Sequence, residues 1–537
     1  MIVFVSDLFV KDYVGGGELS TQSLIETCLL PPAQINSRFL TIEMMEQQKD
    51  SFWIFGNFSE LNIACMVYAI KNLNYAILEY DYKYCRYRSP EKHEEEENAC
   101  DCEKEQLAKA VTMFMSHSKA MFWMSKKQQD RYLEKFDFLK KANNIVLNSM
   151  FSEQTLNYIT SLEITKKTNK YLILNSTSWI KGTNDAIIYA EENNLEYELV
   201  WGLDYKEVLQ KLALSKGIIF FPKGGDTCPR FTIEAKLLGC ELIMNDNVQH
   251  RDEKWFETIE STKEHMYSRT DVFWEHIENV WNVEVPSTPA QEATQTFRII
   301  VPFYNAEGFI SRCIYSLKRQ QNKNFKCYLI DDMSDDKSGQ IAALYTESDP
   351  RFELIQNEDK KYALGNIAET IASIHDINDN DIIILLDGDD WLSANSVLSH
   401  LEKVYNDTNC LMTYGSYVYA PTGQKGVEPS EYPTDVIQNN TYRTDQWRAS
   451  HLRTFKYKIW KEINQDDLKN ADGYYKVAYD QAIMLPLLEM CGPSAHYIPE
   501  IMHVYNRINP LNVDKIKQSE QHQTSLEIRS KEPYQRL

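Results

Sequence analysis

The sequence predicts an α/β protein in which parallel sheets are flanked by helices. Short, continuous apolar runs recur along the chain and alternate with stretches of helical spacing, which is typical of doubly wound sheets. Several runs end in glycine or acidic residues, and ligands of open α/β sheets lie beyond the carboxyl ends of the strands. The clearest case is the segment 381–391, DIIILLDGDDW, which predicts a buried strand with three carboxylates at its end.

Composition limits the classes of protein to consider. A chain of 537 residues is too long for one core, so two or three domains are expected. The formal charge of −21 argues against a general affinity for nucleic acid or anionic membranes. No apolar run is long enough to span a membrane, and the first residues lack the features of a signal peptide. Eleven cysteines without a regular framework then predict free thiols in a reducing compartment, and hence a cytoplasmic location.

Residues 1–155 and 156–283 are predicted to form two Rossmann-like halves that face a cleft. In the first half, a strand at 2–6 leads through a glycine loop into a helix, which presents backbone N–H groups to an anion. The second half repeats the alternation of strand and helix. Residues 284–296 are poor in core residues and predict a linker.

A third domain is predicted at 297–510, followed by a polar tail at 511–537 that forms an exposed helix or stays disordered. Its strand at 382–386 ends at Asp387, Asp389 and Asp390. Carboxylates that converge in this way repel one another unless they share a cation, and hard oxygen ligands suit Mg²⁺ or Mn²⁺. The competing interpretation is a strand followed by a solvated acidic turn.

Four motifs of this third domain resemble family 2 glycosyltransferases of GT-A fold in order and spacing. They are IVPFYNAE at 300–307, LIDDMSD at 329–335, ALGNIA at 363–368 and LDGDDW at 386–391. The resemblance implies a nucleotide-sugar donor, with UDP favoured, and a hydroxyl acceptor such as a glycan. It implies that the nucleotide pocket is lined by Pro302, Tyr304, Asp331, Asp332 and Asp387, and that a bound Mn²⁺ or Mg²⁺ is held by Asp389.

Two later residues complete this implied site. Displacement of a nucleoside diphosphate with inversion needs a base on the opposite face of the sugar. Asp480, in YDQAIM at 479–484, falls on the base position of the family, although Tyr479 replaces the usual acidic residue before it. The alternative is that Asp480 caps a helix. His503 matches a late segment in which some GT-A enzymes place a further metal ligand, and its alternative is a structural histidine.

The first two domains resemble family 4 glycosyltransferases of GT-B fold. GGGE at 15–18 matches their first loop, and Asp226-x7-Glu234 matches their acidic donor motif. The resemblance implies a donor site built from Gly16, Gly17, Lys181, Asp226, Arg230 and Glu234. Arg230 would supply a cation that is missing before Lys181. The fold expected for the whole chain is therefore a GT-B-like pair of Rossmann-like domains followed by a GT-A domain.

The combined expectation is a bifunctional glycosyltransferase in which the third domain inverts and the first two retain configuration. The alternative keeps only the third domain catalytic and makes the front half a degenerate module that binds a glycan or a partner. A separate question concerns Cys85, His93, Cys100 and Cys102. They suggest zinc, but their spacing is not a standard finger pattern, so the sequence favours a loop of free thiols.

Overall fold

The computed structural model describes residues 1–162, 167–281, 295–347, 349–512 and 518–537. It divides into two compact units, Met1–Cys28 with Pro32–Val283 and Leu29–Pro31 with Glu284–Leu537. Most of the predicted linker, residues 284–294, lies outside the described residues. Among those residues, no helix combines the length and the apolar character needed to cross a membrane.

The first unit begins with a six-stranded parallel sheet in the order β2-β1-β3-β4-β5-β6. Its strands are β1 Ile2–Ser6, β2 Ala33–Asn36, β3 Phe52–Phe55, β4 Asn74–Glu79, β5 Ala120–Trp123 and β6 Asn144–Val146. Its helices are α1 Gly16–Thr27, α2 Ile42–Gln47, α3 Ile63–Asn72, α4 Pro90–Glu97, α5 Gln106–Ser116, α6 Lys126–Lys135 and α7 Glu153–Ser161. Strand β2 was not predicted, because the short segment AQIN is polar and only half-buried at the sheet edge.

The first unit continues with a four-stranded parallel sheet in the order β10-β9-β7-β8. Its strands are β7 Tyr171–Leu174, β8 Tyr197–Val200, β9 Gly217–Phe220 and β10 Glu241–Met244. The helices are α8 Thr183–Glu192, α9 Tyr205–Leu214, α10 Arg230–Leu237 and α11 Ile259–Trp281. One hydrophobic core contains residues of both sheets, including Phe4, Phe122 and Ile218.

The second unit has a mixed eight-stranded sheet in the order β13-β12-β11-β14-β17-β16-β20-β15, in which β11 to β14 are parallel. Its strands are β11 Phe297–Phe303, β12 Phe325–Asp331, β13 Phe352–Gln356, β14 Ile382–Leu385, β15 Trp391–Leu392, β16 Met412–Ala420, β17 Arg453–Lys456, β18 Lys469–Asn470, β19 Gly473–Tyr474 and β20 Ala495–Asn506, with β18 and β19 forming a separate hairpin. Its helices are α12 Ile310–Lys318, α13 Ser338–Thr346, α14 Tyr362–Ser373, α15 Val397–Thr408, α16 Thr434–Asn439, α17 Tyr457–Trp460, α18 Tyr479–Cys491 and α19 Gln518–Ser530. The predicted α/β class is confirmed.

The carboxyl-terminal segment contains a mostly exposed helix, α19, which is one of the two forms expected for the tail. Helix α19 packs on the unit through Ile528, which is buried, and through Arg529, whose Nε donates to Gln481 Oε1 at 2.9 Å. The backbone oxygen of Ile528 accepts from Arg443, which also forms a buried ion pair with Glu489. The sequence of this helix is mostly polar and only Ile528 is buried, so no hydrophobic periodicity predicts its packing. The contact with Arg443 involves a residue on another part of the chain.

Candidate active site

The order of the strands in the second unit indicates which edge of its sheet is expected to bind a ligand. The chain runs outward from β11 through β12 to β13 and then returns to the other side of β11 with β14. Ligands of open α/β sheets bind where the strand order reverses in this way. The loops that follow β11 and β14 at this position contain Tyr304 and the predicted carboxylates Asp387 and Asp389.

A glycine between the two predicted carboxylates allows the turn after β14 to lie against β11. Gly388 donates its backbone N–H to Pro302 O at 3.0 Å. A Cβ atom at Gly388 would collide with Cβ of Phe303, and relief of this overlap would require a shift of the strand backbone. Asp387 and Asp389 are half-buried beside it, and Asp389 Oδ2 accepts from Asn509 Nδ2 at 2.8 Å.

The tyrosine that replaces the usual acidic residue contacts Asp387 directly. The Tyr479 hydroxyl lies 2.6 Å from Asp387 Oδ1 and 2.7 Å from Oδ2, so its proton is shared between both oxygens. Burial, followed by the charge of Asp387, raises the pKa of Tyr479 well above its ordinary value, which keeps this donor protonated. The sequence singled out Tyr479 only as a departure from a motif, and its partner is 92 residues away.

A buried arginine balances the acidic groups of the site. Arg453 opens β17, the antiparallel neighbour of β14, and its Nη2 lies 3.3 Å from Asp480 Oδ2. Burial opposes the charge of Arg453, but Asp480 and the more distant Asp387 and Asp390 outweigh it and raise the pKa of Arg453. The N-cap residue of α18 is Ala478 and Asp480 lies in the first turn, so Asp480 is not the residue at the N-cap position.

His503 lies beside Asp390 and not beside Asp389, its expected companion in a metal site. Its Nε2 is 2.9 Å from Asp390 Oδ2, because β15 begins directly after Asp390 and pairs with β20 through Leu392 and His503. His451 stacks on His503 with ring centroids 4.3 Å apart. One ligand atom from each of Asp390, His451 and His503 fits within a 4.8 Å group that could hold a metal ion.

Burial determines the protonation of this group. It lowers the pKa of His503 to about 3 and that of His451 well below its ordinary value, so both imidazoles are neutral. Burial and the charge of Asp387 raise the pKa of Asp390. Neutral imidazoles beside a carboxyl group form a donor set that suits divalent transition metals. His503 Nδ1 is buried and has no hydrogen-bond partner among the described residues.

The two aspartates that end β12 hold the surrounding loops. Asp331 Oδ1 accepts from the backbone N–H of Ser334 at 2.9 Å. Asp332 accepts from the N–H groups of Lys361 and Tyr362 at 2.8 and 3.0 Å, and from Asn357 Nδ2 at 3.0 Å. Asp332 therefore caps α14, which begins at Tyr362, from a distant part of the chain.

Two further predicted residues differ in exposure. Pro302 is buried in β11, whereas the ring of Tyr304 is 39% exposed. The Lys360 ammonium group lies over the Tyr304 ring, so the loop after β11 carries an exposed aromatic face with a cation against it.

In the first unit, the predicted donor residues fall into two groups. Lys181 and Asp226 follow β7 and β9, between which the order of the second sheet reverses. They line a cavity of about 350 Å³ together with Arg88 and Lys92. Lys181 Nζ lies 2.7 Å from Asp226 Oδ2, so the cation of this pair is already neutralised.

The other group is not brought to that cavity. Arg230 and Glu234 are buried, with Arg230 Nε 3.3 Å from Glu234 Oε1, and the Tyr205 hydroxyl donates to the same oxygen at 2.8 Å. Gly16 and Gly17 begin α1, where a Cβ atom on Gly16 would lie 3.9 Å from Cδ of Arg230. Burial raises the pKa of Glu234 despite Arg230 beside it. No observation tests the nucleotide-binding roles implied for these residues, and they stay predictions.

Comparison with known proteins identifies the class of the second unit. Residues 298–464 match the family model described as glycosyl transferase family 2. The uncharacterized glycosyltransferase EpsJ of Bacillus subtilis is 26% identical over 170 residues, which are 32% of this chain and 48% of EpsJ. Glycosyltransferase GlyA of Streptococcus pneumoniae is 25% identical over 191 residues, which are 33% of this chain and 27% of GlyA. The chain thus spans less than half the length of these relatives.

Residues 298–464 of the second unit therefore match a glycosyltransferase family 2 domain, which supports a transferase enzyme. Two solved structures show a partial likeness. S. aureus TarS aligns with a TM-score of 0.31 and 16% identity over 40% of this chain and 37% of TarS. The mannosyltransferase PcManGT of Pyrobaculum calidifontis aligns with a TM-score of 0.32 and 16% identity over 49% of this chain and 73% of its own.

Proposed function

We propose that the second unit transfers a sugar from a nucleotide sugar, a UDP-sugar in the first instance, to a hydroxyl acceptor with inversion of configuration. The observation that carries this proposal is the pair of carboxylates, Asp387 and Asp389, at the reversal of strand order in a family 2 domain. Around this pair the fold gathers a neutral donor, Tyr479, and a buried cation, Arg453.

The donor would lie along the loops that follow β11, β12 and β14. The exposed ring of Tyr304 offers an apolar face to a nucleobase. Asp331 and Asp332 act as positioning residues, because their carboxylates hold the loops at 334 and 357–362 in place. Asp387, oriented by Tyr479, would accept hydrogen bonds from the ribose hydroxyls.

The acidic cluster also fits a divalent ion, Mn²⁺ or Mg²⁺. Asp389 offers hard oxygen ligands, and Asp390, His451 and His503 form the neighbouring donor set. When bound, such an ion neutralises the charge that develops on the departing diphosphate. Asn509 orients Asp389, and Arg453 limits the mutual repulsion of the carboxylates.

Asp480 is the proposed general base. It is half-buried in the first turn of α18, and the ion pair with Arg453 fixes the position of its carboxylate. A base in this position would take the proton of the acceptor hydroxyl as that oxygen attacks the anomeric carbon.

The first unit supports a second candidate function, a retaining sugar transfer that acts on the same glycan. The supporting observation is that Lys181 and Asp226 line a cavity at the reversal of its second sheet. Two linked active sites would raise the effective concentration of one product at the other site. The competing proposal is a module that only binds, and it is supported by the internal pairing of Lys181 with Asp226 and of Arg230 with Glu234.

A panel of nucleotide sugars, incubated with the full chain with and without Mn²⁺, tests these proposals. Asp480→Asn is expected to lower kcat for one donor by about 10²- to 10⁴-fold, which is the usual contribution of a general base. The matched control, Asp472→Asn, changes an exposed aspartate on the turn between β18 and β19 and should leave kcat unchanged. Wild-type kcat in Asp480→Asn would refute the assignment of the base.

The variant Asp226→Asn distinguishes the two functions proposed for the first unit, a second sugar transfer and binding alone. If turnover of a second donor falls in Asp226→Asn and persists in Asp480→Asn, the first unit is a second transferase. If Asp226→Asn changes acceptor affinity and no donor turnover, the first unit is a binding module.

A further inference from the structure

Three cysteines and a histidine of the first unit converge on one point away from the candidate active site. Cys85 Sγ lies 3.7 Å from Cys100 Sγ and 3.7 Å from His93 Nδ1, and Cys102 Sγ lies 3.3 Å from His93 Nδ1. One ligand atom from each of the four residues fits within a group no wider than 4.8 Å. Cys85, His93 and Cys102 are buried, and Cys100 is half-buried.

These separations match the edges of a tetrahedron around zinc. Zinc bonds of about 2.3 Å to sulfur and about 2.05 Å to nitrogen give edges of about 3.8 Å between sulfurs and about 3.6 Å between sulfur and nitrogen. Three distances among the four ligand atoms, 3.7, 3.7 and 3.3 Å, are thus close to these edges, and the others lie within 4.8 Å. A disulfide needs sulfurs about 2.05 Å apart, which the 3.7 Å between Cys85 and Cys100 rules out in this conformation.

The local fold explains how residues with an irregular spacing meet. Cys85 lies in the turn after β4, and His93 lies on α4, which faces that turn. Asn98 ends α4 in the left-handed conformation, with φ of 66°, so the chain reverses and brings Cys100 and Cys102 back. The sequence predicted free thiols in a loop because Cys-x-Cys is not a standard finger spacing, but the helix supplies the missing geometry.

Backbone N–H groups face two of the sulfurs. The N–H of Tyr87 lies against Cys85 Sγ, and the N–H of Cys102 lies against Cys100 Sγ. Donors of this kind stabilise the thiolates that zinc would create.

The second nitrogen of the histidine has the partner that a metal ligand requires. His93 Nε2 lies 3.2 Å from Glu97 Oε2, one turn later on α4. Arg86 Nη2 contacts the same carboxylate and lies 3.0 Å from His93 Nε2, so this nitrogen lies between a guanidinium group and a carboxylate. In the tautomer with its proton on Nε2, His93 donates to Glu97, and the lone pair of Nδ1 is directed at the sulfurs of Cys85 and Cys102. A carboxylate is the usual outer partner of a zinc-bound histidine.

We propose that Cys85, His93, Cys100 and Cys102 bind one Zn²⁺ as a structural site. Four protein ligands leave no open position for a substrate, so the site is structural. Three thiolates form on binding, and their protons pass to solvent. The ion fixes the segment 85–102, in which Arg88 and Lys92 line the cavity of the first unit. Zinc thus holds the wall of that cavity.

Zinc analysis of the full chain tests the proposal. The chain is purified without metal-affinity resin and without chelator, and its zinc is measured by plasma mass spectrometry. One zinc per chain is expected in the wild type and in Cys65→Ser, a buried cysteine elsewhere in the same unit. Cys102→Ser is expected to lose the zinc. Wild-type zinc no higher than that of Cys102→Ser, or a disulfide between Cys85 and Cys100 in the freshly purified chain, would overturn the proposal.

A second measurement keeps the test valid if Cys102→Ser fails to fold. Glu97→Gln retains all four ligands and changes the outer partner of His93, which is also the partner of Arg86. Its zinc affinity, measured against a chromophoric chelator, is expected to fall about 10- to 100-fold. In the wild type, Co²⁺ in place of zinc should give the charge-transfer and d–d bands of tetrahedral thiolate coordination. Octahedral Co²⁺ bands, or an unchanged affinity in Glu97→Gln, would contradict the assigned ligation.

Discussion

Removal of the Tyr479 hydroxyl should weaken the transferase without disturbing its fold. Tyr479→Phe keeps the ring and deletes the hydroxyl group, whose oxygen lies 2.6 and 2.7 Å from the two oxygens of Asp387. A hydrogen bond to a charged group contributes about 1.5–3 kcal/mol. If the bond orients Asp387 in the transition state, kcat/KM should fall about 10- to 150-fold, since each 1.36 kcal/mol corresponds to a factor of ten.

The assay is steady-state turnover of the active nucleotide sugar by the full chain. Tyr475→Phe is the matched control, because this buried tyrosine donates to Glu527 at 2.8 Å, on α19. It should cost stability and leave kcat/KM within about twofold, well below the loss expected for one charged hydrogen bond. A Tyr479→Phe enzyme with wild-type kcat/KM and an unchanged melting temperature would refute the role given to this contact.

Three further predictions concern stability, each measured by thermal or urea unfolding. Gly388→Ala should cost about 1–3 kcal/mol and reduce turnover, because its methyl group overlaps Phe303. Arg443→Met should cost about 3–5 kcal/mol by leaving Glu489 buried without its partner. Burial lowers the pKa of His250 to about 3, so the unfolded chain binds a proton at this residue more readily than the folded chain does. The free energy of unfolding should therefore decrease as pH falls from about 6.5 towards 3, by up to about 1.4 kcal/mol per pH unit. His250→Gln should reduce this slope. A wild-type free energy of unfolding in Gly388→Ala or Arg443→Met, or a wild-type pH slope in His250→Gln, would contradict the corresponding prediction.

The parts of the fold that the sequence predicted are those with local signals. Strand β14 is a continuous apolar run, β11 is apolar apart from Arg298, and both are buried over their whole length. The turn at 387–389 follows from the same run, since glycine allows the close approach to β11. Strands β16 and β20 were missed because their tyrosines and histidines face other aromatic rings and follow no simple alternation.

The parts that the sequence did not predict depend on partners distant along the chain. Asp332, which follows strand β12, caps α14, and no local signal in the sequence indicates that contact. His503 meets Asp390 because of the pairing of β15 with β20, and no motif specifies that register. Arg453 and Asp480 lie on different elements, and the spacing of residues along the sequence does not indicate an ion pair between two elements.

The central proposal is a metal-assisted nucleotide-sugar site at Asp387 and Asp389, and titration of the full chain with Mn²⁺ tests it most directly. Donor turnover by the wild type should disappear in chelator and return as Mn²⁺ is added. Asp389→Asn keeps the contact with Asn509 sterically possible but removes a charged ligand, so turnover should fall by at least about 100-fold, the usual loss for an electrostatic contact to the transition state. Turnover that persists in chelator, or that survives in Asp389→Asn at wild-type Mn²⁺ concentrations, would contradict the proposed site.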